Sequence, residues 1–429
     1  MCKHFQCLGI VAGLLAVAAL TGCKSKGVGG EVRYMLPETK TIELTAEQHK
    51  MVSGNNDFAL NLFRKTIETN DGGKSVFMSP MGVTFMLGMV QAGADNATQR
   101  QTADAMGFVG LGSQAVNEWC HAIQSQAPGM DEQVTFIDAN AIYVNKQYDL
   151  QDDYRKAMRE HYDAGIGSLD FASPKAASTI NKWSKDHTKG MIPKVLDETN
   201  ADAACYLLNA VYFDAKWTKQ FDKAKTKDEA FATEDGAKLT VPMMHNQAYV
   251  NCYADADFKL VCLPYGSGTA WNMLVVLPAE GKTIADVAKL MNSRLQGAWQ
   301  KSKAMQLDIK MPKFELQTHY DLKKTLPALG VKNIFSAGKS GLTGICSANG
   351  VDTGVFVSEM FQDAALNVSE EGSKATAVTV AGVMRMSMHN PDAMPDVETG
   401  EFHANRPFLY FIVDNNTDAI FFAGTYTGK

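Results

Sequence analysis

EEGSKATAVTVAGVMRMSMHN, residues 370–390, decides the fold, because it stands where a surface loop is expected and carries the pattern of a buried strand. Successive side chains of a strand point to opposite faces of its sheet. Alternate positions from 373 to 383 are all small or uncharged, namely Ser373, Ala375, Ala377, Thr379, Ala381 and Val383. The other register holds Lys374, Thr376, Val378, Val380 and Gly382. No proline before Pro391 removes a ladder N–H, so the segment can exist as a loop or as a strand with one face in a sheet.

The alternative is a permanent strand, which is the commoner origin of an alternating run. The preceding residues 355–368, VFVSEMFQDAALNV, are already long enough for a full strand. A continuous strand through both segments would be several times the usual length of about 5–6 residues. Glu370, Glu371 and Gly372 provide the break, since two charges precede a residue that is free to adopt positive φ.

The N-terminus carries the pattern of an export signal. Lys3 and His4 precede an apolar run over residues 8–20, and about 13 apolar residues are too few for a membrane span, which needs about 20. The following Leu-Thr-Gly-Cys, residues 20–23, resembles a bacterial lipobox. We therefore expect residues 1–22 to be a lipoprotein signal peptide and residues 23–44 a tether. Lipidation of Cys23 would anchor the protein at the cell envelope or cell surface, outside the cytoplasm. The alternative is a plain secretory signal with an incidental cysteine.

Composition indicates a globular protein with no nucleic-acid partner. The chain has 429 residues, of which 45% are hydrophobic, and a formal net charge of −6, which offers no basic surface for nucleic acid. Five of the eight cysteines lie outside the leader: Cys120, Cys205, Cys252, Cys262 and Cys346. Their odd number, irregular spacing and lack of a C-x-x-C motif favour buried free thiols over a disulfide framework or a zinc site. We expect no metal and no cofactor.

The pattern of elements predicts a single α+β domain over residues 45–429. No internal repeat or proline-rich linker divides this region, helical patterns dominate its first half, and strand patterns dominate its second half. Ser79 and Pro80 have the N-cap and N1 chemistry that opens a helix, here running through Met89. Further helices are predicted at 58–69, 111–126, 150–161 and 175–189. Strands are predicted at 206–213, 259–265, 272–278, 305–314, 355–368 and in the C-terminal segments FLYFIV and AIFFAG.

The sequence gives no support to an enzyme. It contains no G-x-S-x-G, no H-E-x-x-H and no G-x-x-x-x-G-K-[ST] motif. Ser336 and Lys339 match the S-x-x-K motif of penicillin-recognising enzymes. Lys339, Ser340 and Gly341 resemble the K-T-G motif of the same enzymes. Because the two matches share Lys339, they cannot be the separate elements that this chemistry requires.

Seven segments in one order resemble signatures of the serpin family, over nearly all of residues 55–428. They are residues 74–94, 207–217, 241–244, 311–331, 341–345, 370–377 and 402–412. In serpins, residues of two regions called the shutter and the breach pack beneath the part of a large sheet that opens. The matching residues here are Ser79, Pro80, Asn209, Trp217 and Gln362. Two positions depart from the family pattern, since Gly82 replaces a usual serine and Gln362 replaces the histidine of many animal members.

The resemblance implies a serpin fold, in which helices pack around a large central mixed sheet with two smaller sheets and an exposed reactive-centre loop at about 370–391. It also implies an irreversible suicide-substrate inhibitor of serine proteases, which is not itself an enzyme and acts as a monomer. A target protease would cleave the loop and form a covalent acyl complex, and the loop would then insert into the central sheet. The hinge of that movement would comprise Glu370, Glu371, Gly372, Ser373, Lys374, Ala375, Thr376 and Ala377.

The family's loop length places the reactive bond between Met386 and Ser387, where Met386 is the seventeenth residue counted with Glu370 as the first. Met386 suits the apolar pockets of elastase-like and chymotrypsin-like proteases. A loop shorter by one residue would instead present Arg385 and attract trypsin-like proteases. A further alternative is a non-inhibitory serpin acting as a carrier or structural protein, although such members tend to have bulky, charged or proline residues in the hinge, and this hinge has small inward residues.

Overall fold

A computed structural model describes residues 40–70, 73–268, 270–347, 355–373 and 398–429. The predicted signal peptide, Cys23, the remaining hinge positions 374–377, Arg385, Met386 and Ser387 lie outside these residues. Thr39–Lys429 form one compact unit. No helix in the described part of the chain is long and apolar enough to cross a membrane.

The described residues contain eight α-helices, and polar caps fix where several of them begin. They are α1 Ala46–Thr69, α2 Pro80–Ala92, α3 Asn96–Ala105, α4 Ser113–Gln126, α5 Asp152–Tyr162, α6 Lys175–His187, α7 Ile284–Ala288 and α8 Met291–Gln300. Thr45 and Gln48 form a capping box before α1, and the Ser79 side chain accepts a hydrogen bond from the Gly82 N–H at the start of α2. The predicted helix at 58–69 was therefore too short, because α1 begins twelve residues earlier, at Ala46.

Seventeen strands occur in the described residues. They are β1 Val76–Met78, β2 Val134–Asn145, β3 Asp149–Leu150, β4 Gly165–Leu169, β5 Cys205–Lys216, β6 Lys227–Ala232, β7 Lys238–Ala254, β8 Phe258–Pro264, β9 Trp271–Pro278, β10 Lys303–Pro312, β11 Phe314–Asp321, β12 Cys346–Ser347, β13 Glu359–Val368, β14 Gly372–Ser373, β15 Thr399–His403, β16 Phe408–Asp414 and β17 Ile420–Tyr426. Of the strands with six or more residues, the sequence analysis missed β2, β6, β7 and β11, and the strand predicted at 355–368 begins only at Glu359.

The strands form a nine-stranded, a six-stranded and a two-stranded sheet. The nine-stranded sheet has the order β1-β17-β16-β9-β8-β7-β10-β15, with β6 on β7. The six-stranded sheet has the order β11-β13-β5-β2-β4, with β14 on β5, and it mixes parallel and antiparallel pairs. The predicted α+β architecture of helices around a large mixed sheet is thus confirmed.

The strand at the middle of the six-stranded sheet, β5, is buried on both faces. Alternate residues such as Leu207, Val211 and Phe213 belong to the main core, whereas Tyr206 and Leu208 pack in a second core that includes residues of α6. Because both faces of this strand are buried, its sequence is a nearly continuous run of apolar residues. Asn209 is the exception on the main-core side, with 1% of its surface exposed.

The five cysteines outside the leader are free in the described residues, and four of them are buried while Cys252 is partly exposed. Burial raises the pKa of the Cys120, Cys205, Cys262 and Cys346 thiols to about 12. Thiols with such high pKa values are poor nucleophiles at neutral pH, which suits a packing role.

Candidate functional site

The candidate site is the line between β5 and β13, where the six-stranded sheet holds the first residues of the loop segment. The two strands run parallel and pair from Tyr206 and Glu359 to Tyr212 and Ala365. Beyond that point β14 lies on β5 instead, antiparallel to it, with Ser373 opposite Ala215. Because β2 already occupies the other edge of β5 at Ala215, β14 lies on the β13 side. The sheet therefore has an opening at this end, and Gly372 and Ser373 fill it.

A tight turn leads the chain from β13 into β14, and Trp217 holds it. The Ser369 N–H donates to the Gly372 carbonyl at 2.8 Å, and the Gly372 N–H donates back to the Ser369 carbonyl at 3.2 Å. The Trp217 indole N–H donates to the Ser369 carbonyl at 2.9 Å, and its backbone N–H donates to the Glu371 carbonyl at 3.0 Å. The predicted breach tryptophan is therefore in direct contact with the base of the loop.

Ser373 is completely buried in this arrangement. Its hydroxyl lies 3.1 Å from the hydroxyl of Tyr265, and either group can donate. The Tyr265 ring stacks on Trp217, with centroids 4.3 Å apart and planes 11° from parallel. Burial raises the pKa of Tyr265 far above its usual range, so this hydroxyl stays neutral. Sequence reasoning missed Tyr265, since nothing in its neighbourhood along the chain marks a contact with residue 373.

Two glutamates anchor the turn by charge. Glu370 is 5% exposed, and its carboxylate accepts from the Thr226 hydroxyl at 2.9 Å and from the Lys313 ammonium at 3.0 Å. Burial would raise the pKa of Glu370, but backbone and Lys313 hydrogen bonds outweigh it and hold this pKa below its usual range. Glu371 pairs with Lys223. The break predicted from two charges and a glycine is therefore a fixed, ion-paired turn.

Gly372 is the residue of the turn that no other amino acid can replace unless the backbone of the turn or of β5 moves. Its φ is +143°, and a Cβ built on it would lie 2.0 Å from the Ala215 carbonyl oxygen. Real Cβ atoms do not approach backbone oxygens so closely, and side chains strongly disfavour this φ. The close pairing of β14 with β5 thus depends on glycine.

We expect Gly372→Ala to displace the hinge from β5. The measurement is maleimide labelling of a Ser373→Cys reporter, followed by peptide mass spectrometry to separate it from Cys252. Labelling should be slow with Gly372 and at least roughly tenfold faster with Gly372→Ala, because a loss of about 1–3 kcal/mol at the strained position opens the pairing. Gly330→Ala is the matched control, since Gly330 also has positive φ but nothing lies within 4 Å of its added Cβ. Equally slow labelling in all three proteins would show that the clash is relieved locally.

A second contact across the same line lies at the middle of the sheet. Gln362 of β13 donates from Nε2 to the Asn209 Oδ1 of β5 at 2.8 Å, and these two residues are register partners. Gln362 also bonds the backbone of Ser79 in both directions, accepting from its N–H at 2.9 Å and donating to its carbonyl at 2.7 Å. Ser79 and Pro80 start α2, so the network joins this helix to both strands. Separation of β5 from β13 must break the Gln362–Asn209 bond.

The departure from the family pattern at Gly82 has a steric reason here. A Cβ on Gly82 would lie 2.3 Å from the Asn209 Oδ1. A serine at this position would require the Asn209 amide to move away from Gln362. The glycine therefore permits the Asn209–Gln362 contact, and Gln362 joins Asn209 to the backbone of Ser79.

Sequence reasoning missed two further members of this network, Asp138 and Asn140 on β2. The Asn209 Nδ2 donates to the Asp138 Oδ1 at 2.7 Å and to the Asn140 Oδ1 at 3.0 Å. The available signal was the pair of polar residues two positions apart in VTFIDANAIYVN, on a strand face that also carries Phe136 and Ile142. In the described residues no group of three or more His, Cys, Asp or Glu side chains could hold a metal ion.

Comparison with known proteins identifies relatives over nearly the whole chain. The family model described as "Serpin (serine protease inhibitor)" matches residues 53–428. Serpin B6 of Pongo abelii is 30% identical over 88% of this chain and 99% of its own length. The leukocyte elastase inhibitor of Xenopus tropicalis is 29% identical over 86% of this chain and 97% of its own. The crystal structure of the thermophilic serpin tengpin in its native state superposes with a TM-score of 0.79 at 25% identity, covering 90% of this chain and 95% of that one.

Proposed function

This chain belongs to the serpin family, and on that premise we propose that it is an irreversible suicide-substrate inhibitor of serine proteases. The serine of the target attacks the carbonyl carbon at the reactive bond, the amine of the following residue leaves, and an ester joins the two proteins. Insertion of the cleaved loop into the sheet then distorts the target before water can hydrolyse the ester. This general sequence of events is carried over from the family. The support from this chain is the fit of its loop to its sheet.

The observation that carries the proposal is the register of β14. Ser373 lies opposite Ala215 in an antiparallel pair. If the chain continues in that register, Ala375 lies opposite Phe213, and Val383 lies opposite Cys205, the first residue of β5. Eleven residues at about 3.3 Å each span about 36 Å, so the segment 373–383 matches the length of the strand beside it.

If it continued through residue 383, the same register would direct the small side chains towards the main core. Residues directly opposite each other in an antiparallel pair point to the same face of the sheet. The partners Cys205, Leu207, Val211, Phe213 and Ala215 all belong to the main core. The remaining partner is Asn209, which would face Thr379. A hydroxyl would therefore replace the Gln362 amide opposite Asn209, so this buried amide would keep a polar neighbour after insertion.

A gel and a mass measurement test the proposal directly. The protein is incubated with a pancreatic-type elastase and, separately, with trypsin. An inhibitor gives an SDS-resistant band at the summed mass and releases the C-terminal peptide, whereas a carrier or structural serpin gives cleavage without that band. The mass of the released peptide identifies the reactive bond. Cleavage with no stable complex for any serine protease tried would overturn the proposal.

The specificity part of the proposal assigns the bond to Met386–Ser387, with an elastase-like or chymotrypsin-like target. The residue before the scissile bond fills the protease's primary pocket, and Met386 is unbranched and apolar. The similarity to a leukocyte elastase inhibitor supports this assignment. Arg385 remains the alternative, with a trypsin-like target.

We expect Met386→Arg to slow inhibition of elastase-like proteases by about 10²-fold or more, because an apolar pocket strongly penalises a charge. Arg385→Ala should leave that inhibition within a few fold, since the neighbouring residue contacts more open surface. Association rate constants of both variants against elastase and trypsin decide the matter. If Arg385→Ala alone abolishes inhibition, the reactive bond is one residue earlier.

A further inference from the structure

A chain of buried hydrogen bonds crosses the six-stranded sheet and ends at a carboxyl group. Each amide donates towards β2, from Gln362 to Asn209 and from Asn209 to Asp138. Asn140 also donates to the same carboxyl oxygen, Asp138 Oδ1, at 2.9 Å. The other oxygen, Oδ2, is buried and has no hydrogen-bond partner among the described residues. The carboxyl group is therefore the terminal acceptor of the network, with one oxygen unsatisfied.

We propose that Asp138 is a positioning residue for opening of the sheet, acting through the Asn209 amide to set how readily β5 separates from β13. This role rests on the proposed insertion of the loop. Asp138 Oδ1 accepts from two amides, so the proton of the neutral acid belongs on Oδ2 and Oδ1 stays an acceptor in both protonation states. An amide, in contrast, can be turned either way. With its Nδ2 held by Asp138, Asn209 must direct its Oδ1 at Gln362, and this is the contact that bridges the line of opening.

The surroundings of Asp138 contain no charged partner. Asn140 on the same strand, Asn209 on β5 and Gln124 on α4, which donates to the Asp138 backbone carbonyl at 3.4 Å, are the polar groups that face it. From α2 the neighbour of this network is Gly82, against Asn209. None of these groups titrates, and no charged side chain in the described residues contributes to the pKa of Asp138. Burial raises this pKa to about 7, although hydrogen bonds from Asn209 and Asn140 lower it.

The sign of the pH effect follows from that balance. The pKa stays raised in spite of the two amide donors, so loss of water outweighs the hydrogen bonds, and the ionised carboxylate is better solvated when the sheet opens. An exposed aspartate has an ordinary pKa of about 4, whereas Asp138 in the closed sheet has a pKa of about 7. At pH values between these two, Asp138 is protonated in the closed sheet and ionised in the opened sheet. The advantage of the closed sheet over the opened sheet is therefore fullest at low pH and is lost as pH rises through about 7. Between pH 5.5 and pH 8.5, opening should therefore be slowest at pH 5.5 and fastest at pH 8.5.

Another titratable pair on this sheet, His319 and Asp363, must be separated from Asp138. His319 on β11 lies 2.9 Å from the Asp363 carboxylate on β13, which raises the pKa of His319 although burial opposes the shift. This pair joins β13 to β11, on the side of β13 away from β5. Its titration changes the stability of the sheet without bridging the line of opening.

Uptake of a synthetic peptide with the sequence of residues 373–383 measures opening without a protease, whose own titration would interfere. The full chain is incubated with the peptide at pH 5.5, 6.5, 7.5 and 8.5, and the rate of appearance of heat-stable protein is recorded. For an opened-sheet pKa between about 4 and 6, the rate should rise roughly 8- to 30-fold from pH 5.5 to pH 8.5. Asp138→Asn and Asp138→Thr, both neutral, should abolish this rise, and His319→Gln should retain it.

The outcomes separate the two proposals. If the wild-type chain takes up no peptide at any pH, insertion itself fails, and the role of Asp138 fails with it. If uptake occurs and either folded neutral variant keeps the wild-type pH profile, the positioning role is overturned while insertion stands. A profile that disappears in His319→Gln would assign the effect to His319 instead and would also overturn it. If Asp138 had only a structural role, its substitution would change the rate of peptide uptake by the same factor at every pH and leave the shape of the pH profile unchanged.

Discussion

Cleavage of the chain between Ser373 and Ser387 should raise its melting temperature by at least roughly 10 °C, or about 5 kcal/mol at about 2 °C per kcal/mol for a large domain. An inserted segment would pair along both edges, with β5 and with β13. Pairing along two edges, at a net value of about 1 kcal/mol for each ladder hydrogen bond, offsets the cost of ordering the backbone and contributes to the gain. Burial of its small side chains against the main core adds to it.

The measurement is thermal unfolding by circular dichroism before and after limited proteolysis, with an intact mass to prove a single cut. A nick in an ordinary exposed loop leaves stability equal or lower. The matched control is therefore a protease site inserted in the hairpin between β6 and β7, where Glu234 and Gly236 are exposed. A melting temperature that stays unchanged after clean cleavage of the 373–387 segment would contradict loop insertion, even if inhibition were observed.

The parts of the fold that sequence predicted are those whose local chemistry agrees with the tertiary structure. Ser79 and Pro80 start a helix because the cap and the fixed proline φ suit that place in any context. The break at Glu370, Glu371 and Gly372 was visible because two charges precede a glycine, which is free to adopt positive φ. The match of several family segments in order then identified the sheet around which these pieces assemble.

The parts that sequence missed depend on contacts between distant residues. The first half of α1 contains Gly54, which weakens a helical pattern, yet a Cβ there would lie 2.4 Å from the Gly107 carbonyl oxygen, so close packing of two backbones requires it. In β2 the polar residues Asp138 and Asn140 interrupt the inward apolar face, because they bind Asn209 on the next strand. A pattern of hydrophobic residues along one strand contains no information about a polar partner on another.

The same distinction holds for the candidate site. Small residues in the hinge could be identified from their alternation, but the partner of Ser373 could not, because Tyr265 lies more than a hundred positions away and meets it only when β14 pairs with β5. The contact shows which hinge residue already occupies the sheet. It therefore selects the position at which a substitution should have the largest effect on insertion.

Ser373→Arg should convert the inhibitor into a substrate. Ser373 is completely buried, and its hydroxyl faces Tyr265, whose raised pKa keeps it neutral and unable to balance a cation. A buried unpaired charge costs several kcal/mol, so we expect an arginine at 373 to leave its place beside β5 in the resting protein. Insertion then has to bury this charge, and a penalty of about 3–4 kcal/mol slows insertion by about 10²–10³-fold. Deacylation of the target then precedes insertion. The arginine variant should be cleaved at the same bond as the wild type, since the reactive bond lies thirteen residues further along the chain.

Ser373→Ala is the matched control, because it removes the hydroxyl without adding charge or volume. It should keep most of the SDS-resistant complex, whereas Ser373→Arg should lose it and release active protease with a stoichiometry of many inhibitor molecules per enzyme. The cleaved arginine variant should also lack the rise in melting temperature, since both the stable complex and the inserted strand require residue 373 to lie in the sheet. A stable complex at wild-type stoichiometry in Ser373→Arg would mean that insertion does not pass through this contact, and that the pairing of β14 with β5 is a feature of the resting protein alone.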